Sequence, residues 1–293
     1  MKEKGKITQS YTLICYLVAL TAYLILTFLL EAVRRDEQID EAGYVFGCYI
    51  VPQLSYLIVL GVFSFVKRIP KEEFFRPQNI KPLPYAFAVL IALGIFLFAL
   101  LPNFYLQKAL TMSGSKSTVI LPPAGTAGEV ILSILFVCIL PAVGEEMMFR
   151  KTFCEGMEGN NEWVIIVLGG LFFSLSHLNL AQTVHQFFLG CVLCFLYVRT
   201  KNITLTMIAH FINNFLALFL ERWTEGVANW TNPVVLGVAL AIGAILLATG
   251  LFLVWKNTTA VKKNGGKVEP YTIILLIVLG VMWTTTVTAS FFS

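Results

Sequence analysis

Charge is what this chain is short of. Asp, Glu, Lys and Arg supply 13% of its 293 residues, against about 25% in soluble globular proteins. A water-soluble fold of this length needs a polar face on most helices, and long stretches here have none. Basic clusters interleaved with aromatics are missing, which removes the electrostatic footprint of a nucleic-acid binder. No H-E-x-x-H run marks a helical zinc site, and no Ser or Cys stands in a G-x-S-x-G setting. Neither repeated halves nor paired interrupted helices are visible, so a solute transporter built from inverted repeats is disfavoured. The first apolar run is followed by no A-x-A-like cleavage site, and Lys2, Lys4 and Lys6 read as the flank of a retained span. Six cysteines (15, 48, 138, 154, 191 and 194) lie in or beside apolar runs. Cys191-x-x-Cys194 has the spacing of a redox pair but no strand before it, and reads as two small core residues.

What the chain has is apolar length. Apolar residues make up 57% of it, and the mean hydropathy is +0.79. Runs near 11–30, 44–66, 84–104, 128–150, 163–177, 184–199, 203–220, 233–255 and 271–292 approach the roughly 20 residues that cross a bilayer. The fold expected is an all-α polytopic transmembrane helix bundle of eight or nine spans, one membrane domain over 1–293. The doubt in the count comes from the short run 163–177. Nine crossings with a cytoplasmic N-terminus put 16 of the 21 Lys and Arg on the cytoplasmic side. Arg34, Arg35, Lys108, Lys116 and Arg222 remain outside, and this bias supports the orientation. The segments 31–42, 67–81 and 256–268 read as loops.

Ionisable groups inside a bilayer cost on the order of 2.5–3.5 kcal/mol each by insertion scales, so those present need a reason. Glu145-Glu146-Met147-Met148-Phe149-Arg150 closes the fourth run. Glu146 and Arg150 stand at i, i+4 and can neutralise each other; Glu145 lies about 100° away on the wheel and is left to face a cavity. Phe173 and His177 share a helical face, as do His210 and Asn214, with Asn213 pointing elsewhere. Each cluster has an ordinary alternative: a solvated helix end, a satisfied core histidine, a polar contact between helices. The chain has three histidines; two fall in these clusters, and His185 reads as structural. Depth links the clusters. At 1.5 Å per residue Glu145 lies roughly 18 Å from the turn at Gly159-Asn160-Asn161 and His177 roughly 22 Å, with His210 and Asn214 within reach of the same layer.

In this order, EEMMFR, FSLSH and HFINN resemble the E-E-x-x-x-R, F-x-x-x-H and H-x-x-x-N motifs of the CAAX prenyl protease and bacteriocin-processing (CPBP) family of intramembrane peptidases. QTVHQFFLG and LYVRTKNITLTMIAHFINNFLALFL look like the same family's later segments, so a catalytic core near 125–220 is expected. The resemblance implies an intramembrane endopeptidase, and the short loops and charge pattern fit a bacterial plasma membrane. Glu145 would be its general base, His177 would hold the water, and His210 and Asn214 would donate to the oxyanion. Glu146, Arg150 and Phe173 would be supporting residues. Zinc or another divalent metal on Glu145, His177 and His210, with a fourth position for water, is one form the resemblance admits; a metal-free glutamate mechanism on the same residues is the other. The partners implied are the lipid bilayer and a protein or peptide substrate, prenylated or leader-bearing. The competing expectation is a non-proteolytic scaffold or bacteriocin-immunity-type protein with the same fold.

Overall fold

The structure, a computed structural model, describes residues 5–36, 38–70, 72, 83–117, 119–224, 232–259 and 265–292. Lys2, Lys4, Lys71, Arg76, Lys81, Lys262 and Lys263, counted above for orientation, lie outside the described residues, as do parts of the loops expected at 67–81 and 256–268. Every regular element among the described residues is a helix: α1 (Gln9–Arg35), α2 (Glu41–Val66), α3 (Leu83–Met112), α4 (Ala127–Cys154), α5 (Glu162–Ser176), α6 (Leu180–Thr200), α7 (Ile203–Thr224), α8 (Pro233–Asn257) and α9 (Pro270–Phe292). Eight are long and apolar enough to cross a membrane; α5, at 15 residues, is the exception. It spans about 22 Å, short of the ~30 Å of a hydrocarbon core.

Helix starts follow from local chemistry. Thr8, Asp40, Asn161, Asn179 and Asn232 each cap a first turn by accepting a backbone N–H, and Thr126 with Glu129 closes a reciprocal capping box on α4. The bundle is turned inside out relative to a soluble one. Phe28, Phe65, Ile245 and Val281 are exposed, whereas Glu146 and Arg150 are fully buried. Apolar side chains facing outwards suit lipid, and polar ones facing inwards need partners or a wet cavity.

Small residues set the closest crossings. A Cβ on Gly190 of α6 would come within 2.9 Å of Gly170 Cα on α5, and one on Gly243 of α8 within 2.3 Å of Phe98 N on α3. Backbones packed this closely gain dispersion contacts that apolar lipid tails cannot outbid. The cysteines join that packing. Cys191 Sγ lies against Gly170, Cys194 Sγ against Gly169, and the Cys154 and Cys194 sulfurs are 3.6 Å apart. These are small core residues, as their setting suggested.

Among the described residues, the loops gather at the two ends of the bundle as nine helices of alternating direction require. At one end Gln9 Nε2 donates to Lys267 O at 2.8 Å, and Gly266 N to Gly159 O at 3.0 Å. At the other, Lys116 N donates to Ser290 O at 2.8 Å, Ser117 Oγ to Asn179 Oδ1 at 2.8 Å, and Tyr49 OH to Ile120 O at 2.8 Å. One expectation fails in detail: Arg150 and Lys151, counted as basic residues of a loop, are both buried. Arg150 is drawn under the cluster described next, and Lys151 Nζ reaches Tyr197 OH at 3.1 Å.

Candidate active site

The site begins with a proline. Pro141 has no N–H for the Val137 carbonyl four residues earlier, and its ring crowds that carbonyl. Helix α4 widens there, running π-helical over Ile134–Ile139, α-helical over Leu140–Glu145 and π-helical again over Glu146–Cys154. Such bulges re-aim the residues that follow. Asn214 of α7 uses the stranded group, its Nδ2 donating to Val137 O at 3.2 Å. Helix α2 carries a second interior proline, Pro52.

Glu145 and Glu146, adjacent in sequence, have different surroundings. Glu145 accepts from Gln53 Nε2 of α2 at 2.7 Å, and its other oxygen faces His210 Nε2 at 3.7 Å. Glu146 is fully buried; its Oε1 lies 3.2 Å from Arg150 Nη1 and 2.8 Å from His210 Nδ1. The Arg150 guanidinium stacks over Phe173, 4.4 Å from the ring centroid. The i, i+4 pair read from the sequence is therefore present, and it also carries His210, which the sequence did not suggest.

His177 ends α5. Its Nδ1 donates to the Phe173 carbonyl at 2.8 Å, which leaves Nε2 unprotonated in the neutral ring and free to accept. Phe173 packs between the imidazoles, 4.8 Å from His177 and 5.8 Å from His210. Glu145, His177, His210 and Asn214 all line one cavity of about 660 Å³, while Glu146, Arg150 and Phe173 lie behind its wall.

Two expectations need correcting. Asn213 does not point elsewhere: it lines the same cavity, with Nδ2 3.4 Å from His185 Nε2 and 3.3 Å from Asn214 Oδ1. Positions three and four residues beyond His210 share its helical face, and the cavity is wide enough to take both. His185, for which a structural role was expected over a catalytic one, also lines the cavity. Gln53 was missed altogether. Its one sequence signal was an amide directly after Pro52 in an otherwise apolar run. What lets it reach Glu145 is Gly144, where a Cβ would stand 2.6 Å from Gln53 Oε1. We expect Gln53→Leu to lower kcat by about tenfold with KM little changed, since a carboxylate that loses its orienting donor samples unproductive directions. An equal rise in KM would instead make Gln53 a substrate contact.

Among the described residues no three His, Cys, Asp or Glu side chains form a group that could hold a metal ion. His210, one of the three candidate ligands, already has Nδ1 on Glu146 and Nε2 facing Glu145.

No curated protein and no solved structure matches the chain. Residues 127–216 match the family model of the type II CAAX prenyl endopeptidase Rce1-like proteins. That stretch begins at α4, ends within α7, and contains both glutamates, all three histidines and Asn214. Over residues 127–216 the chain is thus similar to the Rce1-like type II CAAX prenyl endopeptidases.

Proposed function

We propose that the protein is an intramembrane endopeptidase in which Glu145 activates water against a peptide bond. The observation that carries this reading is the convergence of Glu145, His177, His210 and Asn214, from three helices, on one cavity. Glu145 takes a proton from water as the oxygen attacks the scissile carbonyl carbon, and His177 Nε2 accepts the water's second hydrogen bond. The carbonyl π electrons move onto oxygen. His210, whose Nδ1–H donates to Glu146, offers an Nε2–H to that oxygen in its doubly protonated form. Asn214 offers the amide hydrogen not given to Val137. Preorganised donors of this kind are worth about 3–4 kcal/mol each in transition-state stabilisation. Glu145 then returns its proton to the leaving nitrogen as the C–N bond breaks, so the site ends as it began.

Peptide suits the rest of the lining. The side-chain oxygens of Gln53, Asn103, Gln186 and Asn213 are buried without hydrogen-bond partners, and all four residues line the cavity. A row of acceptors is what backbone N–H groups of an extended segment would satisfy. The substrate expected is a membrane-associated protein or peptide, prenylated or leader-bearing; the charge bias supports a cytoplasmic N-terminus, and the plasma membrane is the location expected.

The test is hydrolysis by purified protein in liposomes. A prenylated C-terminal peptide, its unprenylated counterpart and a leader peptide are offered in heavy-oxygen water, and products are read by mass spectrometry. One heavy oxygen in the new carboxyl group is expected. Loss of turnover with a chelator, restored by a divalent ion, would show a metal holding that water. A biological effect that persists in cells expressing Glu145→Ala and His177→Ala, with no peptide cut in vitro, would mean a scaffold and overturn the proposal.

A further inference from the structure

We infer, resting on the oxyanion role proposed above for Asn214, that His185 and Asn213 are positioning residues that hold the Asn214 amide in the orientation that donates. Three side chains and one carbonyl form a chain of contacts. Asn213 Nδ2 lies 3.4 Å from His185 Nε2 and 3.3 Å from Asn214 Oδ1, and Asn214 Nδ2 lies 3.2 Å from Val137 O. An amide nitrogen has two hydrogens to give and accepts none. Asn213 therefore donates in both directions, and its two acceptors fix which way its own amide is turned. His185 Nε2 accepts only while it carries no proton, which puts the single proton of the neutral ring on Nδ1.

Orientation matters because the two ends of an amide have nearly the same shape and opposite polarity. Turned over, Asn214 would aim Oδ1 at the Val137 carbonyl and at the developing oxyanion, which it would repel. Asn213 opposes that turn, since one NH2 group would then face another. Turning Asn213 as well would set its oxygen against the unprotonated nitrogen of His185. With acceptors at both ends of the chain, one arrangement alone gives every contact a donor and an acceptor.

Packing does not account for these two residues. Asn213 is 2% exposed. Its Oδ1 and the Nδ1 of His185 are both buried without a hydrogen-bond partner among the described residues. Unsatisfied buried polar atoms lower stability, and apolar side chains would fill the same space without that loss. Separated by 28 residues, His185 near the start of α6 and Asn213 within α7 meet only once those helices have packed.

The test uses the full-length protein and peptide hydrolysis in liposomes. His185→Phe keeps a ring in place and removes the acceptor. It is expected to lower kcat about thirtyfold, short of the roughly 10²–10³ that loss of a whole oxyanion donor costs, with KM within about twofold. His185→Gln, whose side-chain oxygen can stand where Nε2 stands, is expected to restore most of the lost rate. In an Asn214→Ala background His185→Phe should cause no further loss, because the chain acts through Asn214. Asn213→Leu takes the place of His185→Phe if that variant does not accumulate. A rise in KM alone, equal losses in both backgrounds, or no rescue by glutamine would each overturn the inference. A second readout needs no turnover: NMR of protein carrying heavy nitrogen in its three histidines, with His185→Gln assigning the His185 signals by their loss. His185 Nε2 is expected to resonate as an unprotonated nitrogen and to shift in Asn213→Leu. A proton on Nε2 would overturn the inference whether or not peptide is cut. The unprotonated signal in a protein that cuts no peptide sinks the peptidase reading and leaves the amide chain standing.

Discussion

Glu145→Gln is expected to abolish detectable peptide hydrolysis while the protein unfolds at the temperature of the parent. The substitution keeps volume and shape, and Gln53 can still donate to the new amide oxygen. It removes only the ability to accept a proton from water. A positioned general base contributes about 10²–10⁴ in rate, and the loss should fall wholly on kcat. The contrast with the neighbouring residue makes the measurement decisive. Glu145 is at the cavity surface and Glu146 is fully buried. If Glu145→Gln retained most of the activity, the water-activating role would have to leave this carboxylate, and no other carboxylate among the described residues lines the cavity.

The largest effect on stability is expected at Arg150. It is the bulkiest fully buried side chain among the described residues, and its one ion-pair partner there is Glu146, at 3.2 Å. Removing one partner of a buried ion pair strands the other charge, at a cost of about 3–5 kcal/mol. Arg150→Met and Glu146→Leu should each lower the unfolding temperature sharply in detergent. The double variant Glu146→Leu/Arg150→Met should recover much of that loss, because neither charge is then left in a low-dielectric interior. It should not recover activity. His210 Nδ1 would lose its acceptor at 2.8 Å, and a misaimed donor costs on the order of 10²-fold in rate. A double variant as unstable as the sum of the singles would show that the two residues act independently, and the pair would lose its structural role.

Much of this arrangement was legible before any coordinates. The apolar runs marked most helix ends to within about five residues, since lipid demands about the same length from every crossing; α3 runs eight residues beyond its apolar run, to Met112. The run at 163–177 stood out as short, and α5 is short. Glu146 and Arg150 declared their pairing through i, i+4 spacing. Other features could not be read in this way. A helical wheel assumes α geometry, and α4 departs from it twice, before Pro141 and after Glu145. The partners of Glu145 and Glu146 come from α2 and α7, separated from them by 92 and 64 residues. Asn213 was set aside because the wheel was read too narrowly, as though a cavity faced a single side chain per turn.

The sequence by itself determined the solvent, the run of apolar helices and the presence of a carboxylate, two imidazoles and an amide at matching depth. Those follow from composition and from the fixed rise of a helix, which are local properties. The tertiary structure decided that His210 Nδ1 rests on the buried Glu146. It also recruited Gln53 across the space left by Gly144. These outcomes depend on how close helices approach and where a proline widens one of them, and no single segment carries that information.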